Sequence, residues 1–407
     1  MDAPVTPLKA PAGRIAIVGA GLGGLTAALA LLRRGLDVQI HEQATELTEV
    51  GAGLQLSANA TRVLFDLGLE AAVMASAVVP SEKLIRLWDT GQAWKAFDVG
   101  HASARLYGFP YVTLHRHDLH RILAQAVRAL RTDAILLGAR CIGVDQDERG
   151  AVLRFGGGRE ARADLVIGAD GVHSAVRASL FGPDEPRFTG VVAWRGVIPA
   201  ERLEPRLMAP LSTTWIGPGG HVVHYPLRRG ELMNYVSVVE RSDWRVESWS
   251  VQGAVEECLA DYPGWHPDVH ALIKATGRPY KWALFGREPM NRWSVGRATL
   301  LGDACHPMLP FLAQGAAMAI EDAMVLARCM ETYGPDHEAA FAAYERARVE
   351  RTSAAAAGSA ANMRRYHDSR LASAGQAEDY VAREWSEAQV KARYEPLFGY
   401  DALSTPV

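Results

Sequence analysis

The sequence predicts an α/β fold: a Rossmann-like dinucleotide-binding domain with an inserted, mostly antiparallel β-sheet domain and helices at the C-terminal end. Three observations predict it. Residues 14–41 read as strand, glycine-rich turn, helix and second strand around GAGLGG at 19–24. From about Pro186 to Arg287 helical runs thin out, and β-rich runs alternate with turns such as GPGG and RRG. From His337 the chain becomes alanine-rich, which favours helix.

The elements follow in order. Arg14–Val18 is a β-branched apolar run, Leu22–Arg34 a helix stopped by Gly35, and Val38–His41 a second strand, together a βαβ unit. Tyr111–His115 reads as a strand leading into a helix at His117–Leu130, with short strands at Ala134–Leu137, Leu153–Phe155 and Ala163–Gly168. The inserted sheet takes Gly190–Ile198, Thr213–Ile216, His221–Pro226 and Leu232–Glu240, interrupted by one helix at Val251–Ala260. Residues 80–100 read as two strands joined at Asp89–Gln92 and able to join that sheet. Ala298–Leu301 is a further strand, followed by helices at His337–Tyr366 and Glu378–Arg393. The expected division is a disordered lead-in at 1–13, a nucleotide-binding domain from 14–79, 101–185 and 286–366, a substrate domain from 80–100 and 186–285, and a C-terminal helical segment at 367–407.

Composition narrows the function. With 407 residues, 49% hydrophobic and 22% charged, the chain can bury a sizeable core. A net charge of −3 gives no electrostatic footprint for nucleic acid or an anionic membrane. The four cysteines, at 141, 258, 305 and 329, form no CxxC pair, so a reducing compartment is expected. The lead-in lacks the apolar core of a signal peptide, and no apolar run approaches the roughly 18–20 residues needed to span a bilayer. A cytoplasmic monomer or homodimer, with no nucleic-acid or membrane partner, is the expectation.

Three stretches carry chemistry. In GAGLGG, Gly19 allows the turn after the strand, Gly21 lets the backbone approach a pyrophosphate, and Gly24 permits close helix–sheet packing. Leu22 then opens a helix whose N-terminus favours anions. Glu42, 18 residues after Gly24 and followed by Gln43, suits ribose hydroxyls. A single fingerprint without a redox CxxC points to a bound flavin, with any nicotinamide cofactor visiting transiently. The second stretch, GADGVHSAVR at 168–177, is a strand end with Asp170 or Ser174 as a helix cap. The third, LGDACHP at 301–307 with Gln314-Gly315-Ala316 beyond it, presents Asp303 at a strand end and then opens a helix. Cys305 beside His306 suggests a nucleophile or half a metal site, yet glycine, alanine and proline surround the pair.

Taken together, GAGLGG, Asp170-Gly171 with Arg177, and Gly302-Asp303 with Pro307 resemble the single-component FAD-dependent aromatic hydroxylases over nearly the full length. The closest subgroup acts on small hydroxylated ring carboxylates and includes salicylate hydroxylase, 3-hydroxybenzoate 6-hydroxylase and 6-hydroxynicotinate 3-monooxygenase. The resemblance implies FAD as cofactor, NADH or NADPH as transient co-substrate, and dioxygen as the source of the oxygen placed on a small aromatic substrate. It assigns Gly19, Gly21, Gly24 and Glu42 to the ADP half of FAD and Arg116 to its phosphate and ribityl chain. Asp303 would bind the ribityl hydroxyls and the backbone of Gly315, Ala316 and Ala317 the flavin pyrimidine, while Asp170 lies in a motif tied to both FAD and NAD(P)H.

The chemistry needs a base, because a phenolate activates the ring carbon for attack. On the strand from His221, side chains alternate, so His221, Val223 and Tyr225 share a face. By the resemblance His221 is the phenol's base and Tyr225 a second catalytic residue. Gln55 matches the hydroxybenzoate type, whereas Pro310 and Phe311, beside Leu312, replace polar residues of the relatives and make the pocket more apolar. No metal is expected at His115, His117 and His120, which lack a partner acid pattern. Trp194-Arg195 is half of a halogenase signature, and Val192 breaks it. Two alternatives stay open: a flavin oxidase or dehydrogenase that uses dioxygen only as electron acceptor, and a non-catalytic protein like the prenyl-binding GDP-dissociation inhibitors.

Overall fold

Two sheets set at a shared seam organise the chain. The computed structural model describes residues 13–47, 52–246 and 251–407, so the lead-in, apart from Gly13, lies outside the described residues. The first sheet has six strands in the order Ser294–Val295, Ala298–Leu300, Leu165–Gly168, Ile15–Val18, Val38–His41 and Ile135–Leu136. Its pairings are parallel except at the Ser294–Val295 edge. Ile15–Val18 and Leu165–Gly168 are buried at every position, as expected of parallel strands covered on both faces. One face carries the helices Leu22–Leu32 and Gly315–Tyr333. They approach closely because Gly23 lacks a side chain: a Cβ there would sit 2.6 Å from Leu301 and 3.1 Å from Ala319.

The second sheet has seven strands, Tyr280–Gly286, Arg187–Pro199, Leu232–Glu240, Gly220–Leu227, Leu211–Gly217, Glu82–Leu87 and Ala93–Asp98 in spatial order. It is antiparallel except where Leu211–Gly217 runs parallel to Glu82–Leu87. Residues 80–100 do join it. Its outer face packs Trp194, Trp215, Val222 and Tyr235 against two helices, Val255–Ala260 and Pro267–Thr276. The sequence reading expected a single helix here, at Val251–Ala260. The second starts at a proline, which is compatible with a helix's first position, with the His266 ring accepting from the Asp268 N–H.

The expected last helix is likewise two, Ala374–Glu384 and Glu387–Phe398, broken at Trp385-Ser386. Helices at Ala58–Asp66, Glu70–Ser76 and Gly100–Tyr107 were absent from the sequence reading. The long helix His337–Tyr366 matches it residue for residue.

A further two-stranded sheet, Gly53–Leu56 with Val112–His115, is tied by side chains to the seven-stranded sheet. Gly53 N–H donates to Asn234 Oδ1 at 2.7 Å, Thr113 Oγ1 to the Pro226 carbonyl at 2.6 Å, and Ser212 Oγ to Gln55 Oε1 at 2.8 Å. Arg228 forks onto Asp118 at 2.8 and 3.0 Å. The cleft described next lies along this seam.

Candidate active site

The glycine turn opens one end of the cleft. Gly19 sits at φ +102°, a conformation that side chains rarely adopt, and its N–H donates to the His41 carbonyl at 2.8 Å. At Gly24 an added Cβ would fall 2.1 Å from the Gly19 carbonyl oxygen, so the helix can follow the strand this tightly only with glycine. At Gly21, just before the helix, an added Cβ would meet nothing within 4 Å. The helix N-terminus therefore faces open space with its first N–H groups lacking helical partners. Glu42 accepts from the Ala20 N–H at 2.7 Å and the Ala44 N–H at 2.8 Å, which places its carboxylate at the rim of that opening. Carboxylate oxygens have further lone pairs for a ligand hydroxyl. Gln43 is exposed beside it and Leu22 is buried.

The third motif supplies the middle of the cleft. Gly302, at φ +65°, turns the chain so that Asp303 projects from the strand end. Asp303 is exposed by surface area, yet desolvation pushes its carboxyl up, with His306 and Arg116 pulling the other way. Together these describe a group on the wall of a crevice, reachable but hemmed in by protein. Arg116, at the start of the helix Arg116–Leu130, is thus brought near Asp303 from 187 residues away in sequence.

Cys305 and His306 point to neither a nucleophile nor a metal. Cys305 is fully buried, donates to the Gly302 carbonyl at 3.3 Å, and has its thiol pushed well up by burial. His306 Nε2 lies 2.5 Å from Asp322 Oδ2. Asp322 also takes Arg348 at 2.7 Å, and Arg348 reaches Glu321 at 2.6 Å, all within the interior. This paired charge network braces the Asp303 turn from behind.

The far end is a second helix N-terminus. Ala313 adopts a left-handed conformation at φ +54°, and Gln314 is held by Ser57 Oγ at 3.0 Å and Asn59 Nδ2 at 3.1 Å. Met318 bonds back to Gln314, leaving the N–H groups of Gly315, Ala316 and Ala317 without helical partners. Two helix N-termini and an acid between them suit an elongated, partly anionic ligand.

Opposite stands the inner face of the seven-stranded sheet. Register places Ile216, His221, Val238 and Ala193 in one row, and Thr214, Val223, Val236 and Arg195 in the next. His221 is buried, edge-on to Phe311 at 5.2 Å and beside Tyr366 at 5.1 Å. Burial holds its imidazole well below the usual range, with the His367 ring adding to the effect, so it is neutral. Tyr225 is four residues along the strand, roughly 13 Å away at 3.3 Å per residue. It packs at Gly53, and burial pushes its phenol above the ordinary value. One small ring therefore cannot have both at the same atom. Gln55 is fixed by Tyr111 Oη at 2.7 Å as well as by Ser212. Phe311 and Leu312 are buried, while Pro310 is exposed.

Asp170 is a helix cap, and so is Ser174. Asp170 accepts from Ser174 Oγ at 2.5 Å and the Ala175 N–H at 2.7 Å, and Ser174 Oγ accepts from the Arg177 N–H at 2.9 Å. Arg177 then reaches the Ala304 carbonyl at 3.4 Å, tying the second motif to the third.

A family model described as an FAD binding domain matches residues 13–359. A 3-amino-4-hydroxybenzoate 2-monooxygenase of Streptomyces platensis is 40% identical over 338 residues, covering 83% of this chain and 84% of that protein. The chain belongs to the FAD-dependent aromatic monooxygenases. A 6-hydroxynicotinate 3-monooxygenase of Pseudomonas fluorescens is 39% identical, covering 84% and 88%. The crystal structure of Klebsiella pneumoniae HpxO complexed with FAD and uric acid superposes with a TM-score of 0.81 at 25% identity, over 93% and 96% of the two chains. These relatives are monooxygenases, which does not favour the oxidase or the non-catalytic alternative.

Several residues of this monooxygenase's cleft escaped the sequence reading. Ser57 and Asn59 position the Gln314 turn, and Asn234 holds the strand start at Gly53, but none sits in a motif. Arg195, dismissed with Trp194, faces the inner side with its guanidinium 4.7 Å over Trp282. His367 touches His221 from the segment assigned to C-terminal helices. Only tertiary contact gives any of them a role.

Proposed function

We propose that this monooxygenase uses NADH or NADPH and dioxygen to hydroxylate a small aromatic or pyridine ring that carries both a hydroxyl and a carboxylate. The observation that carries this reading is the placement of a neutral, buried histidine, His221, on an otherwise mostly apolar wall next to Phe311. That wall faces the helix N-terminus at Gly315. Bound FAD would supply the oxidation–reduction chemistry and the activation of oxygen.

This chain's residues do the rest. Gly19, Gly21, Leu22 and Gly24 receive the pyrophosphate, Glu42 and Gln43 the adenosine side, and Arg116 and Asp303 the ribityl chain. Gly315, Ala316 and Ala317 would direct N–H groups at the pyrimidine edge, and Asp170 shapes the turn that packs against Gly19 at the other end. His221 takes the phenolic proton, which makes the ring electron-rich. Val223, Phe311 and Leu312 keep water from the reacting carbon, with Pro310 at the rim. Tyr225 and Gln55 mark the end of the pocket near Gly53.

The relatives' names span hydroxybenzoate, aminohydroxybenzoate and hydroxynicotinate rings, so the test is a screen across those three classes. NADH and NADPH oxidation is followed with product identification and peroxide measurement. Hydroxylated product in near-stoichiometric yield with one class supports the reading. Stoichiometric peroxide with every ring, and no product, overturns it.

A further inference from the structure

Behind His221 lies a hydrogen-bonded chain that leads out of the pocket. His221 Nδ1 is 2.7 Å from His367 Nε2, and His367 Nδ1 is 2.9 Å from Glu240 Oε1. The His221 and His367 side chains are buried, whereas the Glu240 side chain is 54% exposed. Backbone bonds hold the three members in place. Glu240 N–H donates to the Gly219 carbonyl at 2.9 Å, and Gly219 N–H to the His367 carbonyl at 3.2 Å. His221 follows Gly219 by two residues, so strand, turn and helix end are locked together.

The acceptor at the outer end fixes the tautomers. A carboxylate only accepts, so His367 carries its hydrogen on Nδ1 and offers a lone pair at Nε2. That lone pair accepts from His221 Nδ1–H, and His221 is left with a lone pair on Nε2, the nitrogen available to a substrate. The other titratable groups around the chain are Tyr366 beside His221, with Tyr394, Tyr111 and Arg393 behind it, and Asp368, which Arg370 pairs at 2.7 Å. None of them stands between the three members.

We propose that His367 and Glu240 form a proton wire that carries the substrate's phenolic proton from His221 to solvent. The inference rests on the reading of His221 as the phenol's base. As the phenol O–H breaks, N–H forms at His221 Nε2. His221 Nδ1–H breaks as N–H forms at His367 Nε2, and His367 Nδ1–H breaks as O–H forms on Glu240, which releases the proton to water. The net change is a phenolate in the pocket, a proton outside and both imidazoles turned from the Nδ1–H to the Nε2–H tautomer; running the same path in reverse to protonate the product phenolate restores them, with no redox partner needed. The wire answers a physical difficulty: burial makes a lasting imidazolium at His221 costly, so its proton must move on. His367 and Glu240 are thus positioning and relay residues, and His221 alone touches the substrate.

The test compares FAD-loaded wild type with Glu240→Gln and His367→Gln. Stopped-flow absorbance follows phenolate formation when each protein meets the phenol identified by the screen, across pH and in deuterium oxide. Both variants should keep full FAD content and form phenolate roughly tenfold or more slowly, in the range of a lost proton-transfer partner. A third variant, His367→Ala, should recover rate with added imidazole. Rates and pH profiles within about twofold of wild type in both variants overturn the wire while leaving the hydroxylase intact. Nitrogen-15 histidine spectra of the ligand-free holoenzyme give a readout that needs no substrate. Nδ1–H tautomers at both His221 and His367, lost in Glu240→Leu, support the wire even if the screen finds no phenol. An Nε2–H tautomer at His221 overturns it.

Discussion

The two walls of the cleft are built in opposite ways. The wall proposed to hold FAD is made of backbone: glycines that let chain approach chain, helix N-termini, and one acid delivered by a positive-φ glycine. The wall proposed for the substrate is made of side chains on a sheet, His221, Val223 and Tyr225 of one strand among them, completed by Phe311 and His367 from elsewhere. A backbone site is local and tolerates little change in sequence. A side-chain wall keeps its sheet whatever rings it is shaped to fit, so specificity can change there without loss of the fold.

The largest effect should fall on the backbone side. Gly24→Val places a branched side chain where a single Cβ already meets the Gly19 carbonyl at 2.1 Å. The purified variant is expected to be colourless, with the flavin-to-protein absorbance ratio near zero. A yellow variant with wild-type flavin content would break the contrast.

On the substrate side, His221→Ala should leave flavin content unchanged and lower kcat by about 10²–10⁴, the usual contribution of a positioned acid–base group. Coupled product formation at the wild-type rate would remove His221 from catalysis.

A third effect concerns stability rather than activity. Burial, with Arg86 adding to it, lowers the imidazole of His224, on the outer face of the same strand, from 6.5 to about 4. Between those values the unfolded chain binds the proton that the folded one refuses. The contribution is therefore complete above pH 6.5 and is lost as pH falls towards 4. At ~1.36 kcal/mol per unit this is about 3 kcal/mol at most. Urea titrations at pH 7 and 4.5 should show wild type losing more stability than His224→Gln, and equal losses would contradict the assignment. His221 and His367, also lowered by burial, act in the same direction.

The smallest effect tests the acid in the crevice. Asp303→Ala should weaken FAD binding by roughly tenfold, about 1.4 kcal/mol, measured by flavin fluorescence during dilution. A smaller change would mean that the helix N-termini alone hold the flavin.

Legibility followed the same division. The turn at Gly19 and the close packing at Gly24 were readable because each is set by neighbours a few residues away. The pair Cys305-His306 drew attention for its chemistry, but the fold uses both as internal braces, and only Asp322, 16 residues on, reveals it. The helix that Pro267 begins was absent from the sequence reading, and Trp385-Ser386 divides a helix whose apolar pattern runs on.

The sequence by itself determined the α/β class, the flavin fingerprint, and the shared face of His221, Val223 and Tyr225. Strand alternation and short-range turn geometry are properties of a few consecutive residues. Tertiary structure alone decided that Arg116 faces Asp303, that Phe311 lies against His221, and that His367 and Glu240 stand behind it. Those contacts join residues 127 or 146 positions apart in the hydrogen-bonded cases. No local pattern encodes them, because they exist only once burial of the two sheets has brought the segments together.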